Sequence, residues 1–352
     1  MKRSLRSFLT SALAVAILSG AAHGQSVRLE LRDSATNAAV VGALVSASDS
    51  VGRQRVDGLS NDRGVVTLRL PSPGVWSFGV RRIGITPQKV AGVRIDSGAS
   101  ITLPLRMTST RQLLSRVRVV AEGGICGRAP EGENRTAMLW EQITLALRAS
   151  TLSRADSTAA LARVQESARD LSPSLAVLSS QLLRDDNGIG RAFSALDPDS
   201  LASVGYIRRE SNGDFSFFAP DEAVLLSEAF LGTHCFDTPK RDANPALAEL
   251  RFRPVRGRSV PDVEGTAFVD AKSGELRRIE FRYVFSRRLI PVIARHAGGH
   301  VVLQRLPSGL WIVADWAIRM PRFAGSGVPA GYQLTGYREV GGTVTPLLNR
   351  LP

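Results

Sequence analysis

The chain has 352 residues, 43% hydrophobic and 22% charged, a balance that fits folding around buried cores and excludes disordered, collagenous or coiled-coil protein. At roughly 100 to 200 residues per domain, the length suggests two or three domains. The formal net charge is +13, and only Lys2, Lys89, Lys240 and Lys272 are lysines, so the positive excess is arginine.

The first 24 residues read as a secretory signal peptide: Lys2, Arg3 and Arg6 precede an apolar run from Phe8 to Leu18, and small residues end at Ala22-His23-Gly24, with cleavage expected before Gln25. The run is short of the roughly 20 apolar residues of a spanning helix. No cysteine precedes Cys126, so the lipid-modified cysteine of an exported lipoprotein is not available. The expectation is a secreted or periplasmic protein that is not an integral membrane protein. Removing the three basic residues of the leader from 45 leaves 42 against 32 acidic ones, a net charge of +10. Residues 251–295 carry eleven basic groups, among them Arg278, Arg282, Arg287 and Arg288, against five acidic ones. Such an excess reflects either G- and C-rich codon usage or attraction to an anionic partner. An exported protein meets lipid head groups and glycans rather than chromosomes, which argues against nucleic acid.

Residues 25–106 read as a small antiparallel β-sandwich, with strands at Val27 to Leu31, Ala43 to Ala47, Val65 to Leu70, Val75 to Val80, Val90 to Ile95 and Ile101 to Leu105. Asn61-Asp62-Arg63-Gly64 and Pro71-Ser72-Pro73-Gly74 supply the turn chemistry between them. Gly42-Ala43-Leu44-Val45, Ser60-Asn61-Asp62-Arg63-Gly64, Pro73-Gly74-Val75-Trp76 and Ile83-Gly84-Ile85 resemble the signature of the carboxypeptidase regulatory-like (transthyretin-like) sandwich, with Trp76 and Ile85 where the family has tyrosines. The resemblance implies a fold, one grouped with carbohydrate-binding-like sandwiches, and hardly an activity, because such modules accompany many different partners.

Residues 107–135 read as a linker carrying a strand, Leu113 to Ala121, and Cys126. That strand is similar to the segment following such a sandwich in outer-membrane TonB-dependent receptors. The 231 residues after it are too few for a barrel of about 22 strands of roughly 9 to 11 residues each with their loops, so a receptor is not expected. Cys126 and Cys235 are expected to form a disulfide in an oxidising compartment. The 109-residue separation corresponds to roughly 4 to 5 kcal/mol in the chain-entropy picture.

Residues 136–352 read as an α+β domain. An amphipathic helix starts at Thr136 with Leu139, Ile143, Ala146 and Leu147 on one face. Ala159 to Leu183 fits a helix or a hairpin equally. Asp197-Pro198-Asp199 and Ala219-Pro220-Asp221-Glu222 mark helix starts, the second helix running to about Leu231 and delivering Cys235 to its partner. From Val263 long alternating strands take over, at Thr266 to Asp270, Leu276 to Phe285, His300 to Leu306, Leu310 to Met320 and Tyr332 to Val340. Ile279, Phe281, Tyr283 and Phe285 share one face and Arg278, Glu280 and Arg282 the other, while Ile312, Trp316 and Ile318 are expected to share a face. This curved antiparallel meander resembles the half-barrel of periplasmic lipoprotein carriers and related lipid-binding proteins. The order of sandwich, cysteine linker, helix and meander is similar to that of secreted bacterial proteins with a regulatory-like domain.

No catalytic constellation emerges. Zinc hydrolysis needs two histidines, a carboxylate and an open water site, but His234 is followed three residues on by Asp237, and Ala297-Gly298-Gly299 between His296 and His300 breaks the helix that their spacing presupposes. There is no Gly-x-Ser-x-Gly, Gly325-Ser326-Gly327 being preceded by Ala324. Asp185-Asp186-Asn187-Gly188 lacks the later oxygen ligands of a calcium loop, and Asp197 and Asp199 are explained by helix capping. The sequence therefore points to a non-enzymatic binding or scaffolding protein without cofactors or metal, contacting an envelope protein or glycan through the sandwich. The competing reading is a lipid or lipoprotein carrier that uses the half-barrel, with Phe281, Tyr283 and Trp316 lining the cavity and Arg278 and Arg282 meeting head groups; if the meander instead packs against the middle helices, the favoured alternative, Phe281, Tyr283, Trp316 and Ile318 are core residues.

Overall fold

A computed structural model describes residues 24–109, 125–131, 134–155, 162–187, 193, 195–211, 214–284, 295–324 and 333–346. Residues 1–23 of the expected leader, the strand expected at Leu113 to Ala121, and Phe285, Arg287, Arg288 and Gly325 to Gly327 lie outside the described residues.

Residues 26–107 form a two-layer sandwich from β1 (Ser26–Asp33), β2 (Leu44–Asp49), β3 (Arg55–Leu59), β4 (Val65–Arg69), β5 (Gly74–Arg82), β6 (Ile85–Ile95) and β7 (Ser100–Met107). One sheet has the order β4-β1-β7 and the other β3-β2-β5-β6. Alternation decides which side chains meet: Val27, Leu29 and Leu31 of β1 and Trp76, Phe78 and Val80 of β5 are fully buried, while Arg28 and Ser77 point away. Most pairs are antiparallel, but β1 and β7 run parallel, from Ser26 opposite Ser100 to Asp33 opposite Met107. The sequence shows no sign of β3, because Arg55, Asp57 and Gly58 break its apolar alternation. Gly58 is there for packing: a Cβ would come within 2.6 Å of Leu68 Cδ2 and 2.9 Å of Val66 Cγ2, so a bare backbone lets the layers close. At Gly64 (φ +74°) a side chain would meet the Leu31 carbonyl oxygen at 2.5 Å, and the Asn61 side chain accepts from the amides of Arg63 and Val65, both at 3.0 Å.

The rest of the chain adds β8 (Ile125–Cys126), α1 (Arg135–Ala155), β9 (Ala162–Leu171), β10 (Val177–Asn187), α2 (Pro198–Val204), β11 (Ile207–Arg209), β12 (Phe215–Phe217), α3 (Glu222–Leu225), α4 (Glu228–Thr233), β13 (His234–Asp237), β14 (Leu247–Pro254), β15 (Asp262–Asp270), β16 (Leu276–Val284), β17 (Gly298–Arg305), β18 (Trp311–Ala324) and β19 (Gln333–Pro346). Ten of these strands make one sheet of order β10-β9-β19-β18-β17-β16-β15-β14-β13-β8, antiparallel throughout and open at both ends. The fold is thus mainly β with helices, as expected. The ambiguous stretch 159–183 contributes to a hairpin, β9 with β10, turning at Leu175 with φ +69°.

α1 buries Leu139, Ile143, Ala146 and Leu147 as expected, and also Leu145, Ala149, Ser150 and Ser153. It lies between the sandwich, at β3, and the large sheet, at β14, β15, β16 and β18, so it is covered on several sides. The helix expected from Pro220 to about Leu231 is two short helices. Asp221 caps α3 by accepting from the Val224 amide (3.0 Å), with Pro220 one residue outside the helix. Ser227 donates to Val224 O (2.7 Å) and accepts from the Phe230 amide (3.1 Å), so its hydroxyl ends one helix and starts the next. α4 does lead into Cys235, which is bonded to Cys126 opposite it on β8. Strand β14 was not legible, and β18 departs from simple alternation: between Val302 and Leu303 the pairing register shifts, leaving Ala314 extra. The bulge moves Ile312 to the face opposite Trp316 and Ile318. Ile312 packs with Ala162, Val164, Leu306 and Val344, whereas Trp311 joins the main core.

That core occupies the space between the inner face of the sheet, α1, α3, α4 and the β11–β12 hairpin, and contains Phe230, Phe236, Phe252, Val263, Phe281 and Tyr283. Next to the disulfide, His234 is fully buried and stacked on Phe230 at 3.9 Å, its Nδ1 3.0 Å from Phe230 O and its Nε2 3.1 Å from Val263 O and 3.2 Å from Asp262 Oδ1. Arg258 donates to the same buried carboxylate. The sandwich docks on this body where Gly42 and Gly309 meet backbone to backbone, a Cβ on Gly42 reaching 2.8 Å from Gly309 O.

Candidate functional site

The residues expected to form one ligand site fall on opposite sides of the sheet. Phe281, Tyr283 and Trp316 are 6%, 5% and 4% exposed on the inner face. Tyr283 stands edge-on to Phe217 at 5.2 Å, and Trp316 packs on Phe193 at 5.6 Å. Arg278 and Arg282 alternate with Phe281 and Tyr283 on β16 and point outward: Arg282 pairs with Glu264, while Arg278 pairs with Glu280 at 3.2 Å and lies 4.6 Å over the Phe268 ring. The aromatic trio is therefore packed in the interior, as the core alternative has it. Among the described residues, one void on the inner face, between Leu147, Phe193, Leu225, Ile279, Phe281 and Val301, is about 20 Å³. Roughly 10 to 15 Å³ holds one water, so this void is too small for an acyl chain.

The outer face of the same sheet is open and polar. Two depressions of about 440 and 250 Å³ adjoin across β16, sharing Glu280, Phe281 and Arg282. Among the outward positions on β17, β18 and β19, Gly298, Ala317 and Gly341 are small, with Ala317 opposite Gly341, which leaves space between His300, Arg319 and Glu339. Around it the charges stand in pairs: Arg253 with Asp237, Arg282 with Glu264, and Arg319 with Glu339 at 2.8 Å, the last carboxylate also taking Arg169 from β9. His300 Nε2 lies 2.6 Å from Asp315 Oδ1, and His296 stands edge-on to the buried Tyr337 at 6.0 Å. Glu339, 4% exposed, holds two guanidiniums in place from below.

Among the described residues, six arginines of 251–295 are paired within the fold. Arg251 pairs with Glu249 and Arg253 with Asp237, partners from outside or at the edge of that window, and Arg258, Arg277, Arg278 and Arg282 find Asp262, Asp270, Glu280 and Glu264. Sequence reasoning counted these charges without pairing them. It missed the groove because that requires the register of seven strands, although the outward run Arg278, Glu280, Arg282 was the signal.

No protein-family profile and no curated protein matches the chain. Among solved structures, the backbone protein of the group B streptococcus pilus 2b is 12% identical over 25% of this chain, with a TM-score of 0.21, and the chain covers only 41% of that protein. A Bacteroides uniformis protein provisionally described as carbohydrate-binding is 10% identical, over 74% of this chain and 96% of its own, with a TM-score of 0.21. A DUF1329 family protein from Desulfovibrio piger is 7% identical, over 59% of this chain and 94% of its own, with a TM-score of 0.23. The functional reading rests on the geometry of this chain.

Proposed function

We propose that this is an exported, non-enzymatic binding protein of the cell envelope that holds a neutral, hydroxyl-rich ligand, a stretch of glycan, against the open face of the ten-stranded sheet. The carrying observation is the pair of adjoining depressions whose charges nearly balance: five arginines, Arg251, Arg253, Arg282, Arg295 and Arg319, stand among four carboxylates, Asp237, Glu264, Glu280 and Glu339. A guanidinium beside a carboxylate presents fixed donors and acceptors side by side, as vicinal sugar hydroxyls require, and leaves little net charge to attract a polyanion. The packed inner face keeps this surface rigid, so little ordering is lost on binding. The disulfide supports export. The sandwich supports the resemblance to regulatory-like modules and serves here as a rigid body beside the binding sheet.

Calorimetric titration of the exported chain with cellohexaose and chitohexaose tests the reading. At least one binds, Arg282→Ala lowers its affinity tenfold or more, and binding persists as salt rises, because a neutral ligand is not screened. Failure of both sugars to bind, or an Arg282→Ala protein that binds as well as the parent, overturns it.

A further inference from the structure

A second concavity, of about 210 Å³, lies where the sandwich meets the large sheet, and its charges are not matched. Arg81 and Arg82 reach it from the end of β5, Arg305 from the end of β17, and Ser273 and Glu275 from the turn before β16. Glu275 is the one carboxylate in this lining, and it is spoken for: it accepts from Arg305 Nε at 2.7 Å and faces Arg277 at 3.3 Å. The carboxylate paired with Arg81, Glu141, stands 3.8 Å away, with both side chains nearly half exposed. Arg82 is half-buried, and among the described residues no hydrogen bond or ion pair holds its guanidinium. Arg148, half-buried on α1, is likewise without an ion pair among the described residues and feels the charges of Arg55, Asp57 and Arg81.

A cation taken partly out of water beside other cations is an unfavourable arrangement unless something negative joins it. Burial, and then the charge of Arg305, pull the Arg82 pKa below the ordinary arginine value, against the opposing pull of Glu275 and Asp33. The backbone contact between Gly42 and Gly309 holds the two walls at this separation, because a side chain on either glycine would push them apart. The space is below the roughly 300 Å³ of typical small-molecule pockets, so it suits one small charged group. Planar guanidinium forks converging from two directions match the oxygens of a phosphate or sulfate.

We propose that this cleft is a binding site for a tetrahedral oxyanion, a phosphate or sulfate group, which bridges Arg81 and Arg82 of the sandwich to Arg305 of the sheet and so fastens the two bodies together.

The test is thermal unfolding of the full exported chain with inorganic phosphate or sulfate against sodium chloride at equal ionic strength, for the parent, Arg82→Gln and, as a control on the open face, Arg251→Gln. Phosphate or sulfate raises the melting temperature of the parent and of Arg251→Gln by several degrees more than chloride does. Arg82→Gln loses that increment while melting no lower than the parent in chloride, since a residue with no partner has none to lose. An equal increment in Arg82→Gln, or chloride acting as well as phosphate, overturns the proposal. Co-sedimentation with phosphatidylglycerol–phosphatidylcholine vesicles separates the sources. Vesicle binding that is present in the parent and lost in Arg82→Gln assigns the group to a lipid headgroup, whereas stabilisation by free phosphate without vesicle binding assigns it to a soluble anion.

Discussion

The two faces of the ten-stranded sheet are made by the same strands, residue by alternating residue, and do opposite things. On β16, Ile279, Phe281 and Tyr283 face in and are buried, while Arg278, Glu280 and Arg282 face out and meet neighbouring charges and, for Arg278, the Phe268 ring. One face stores stability and the other is free to carry recognition. Residues alternating on one strand therefore differ in what their loss affects: the fold on one side, binding on the other.

The sharpest way to break the comparison is to truncate the inner face. Phe281→Ala or Trp316→Ala is expected to cost roughly 3 to 5 kcal/mol in denaturant unfolding, because each leaves a cavity among tight partners. A loss below about 1 kcal/mol at both positions would mean that the inner face is not a packed core. Close behind comes the buried charge cluster at the edge of that core. Asp262→Ala strands Arg258 and takes away the carboxylate beside His234, a removal typically worth roughly 3 to 5 kcal/mol. Asp262→Asn should recover part of the loss through its remaining hydrogen bonds, such as that from the Val263 amide at 2.8 Å. The smallest expected effect lies outside: the ion pair of Arg282 with Glu264 is solvent-exposed, so Arg282→Ala should change stability by no more than about 1 kcal/mol. A larger loss would make the outer arginines structural rather than available to a ligand.

The sequence revealed the parts that depend on local pattern. Strict alternation in β1, β5 and β16 and side-chain caps at Asp197 and Asp221 are written within a few residues of where they act, and the cysteines needed only a compartment to be paired. What was not legible depends on contacts far apart in the chain. β3 is specified by what packs on Gly58, the face of Ile312 by one extra residue in β18, and the break between α3 and α4 by a single serine hydroxyl. The binding surface is the extreme case. Its carboxylates come from β13, β15, β16 and β19, and Glu339 reaches Arg169 across 170 residues. The 251–295 window alone could not have shown that Arg251 and Arg253 are met by Glu249 and Asp237 rather than waiting for an anion.

Three histidines report on the two faces separately, His296 and His300 beside the outer groove and His234 sealed within the core. The most direct measurement is to follow their imidazole NMR signals while titrating the hexasaccharide that binds. The proposed arrangement predicts that His296 and His300 shift in proportion to ligand bound while His234 stays fixed. Saturable binding with His296 and His300 unmoved, or with His234 moving instead, would contradict it.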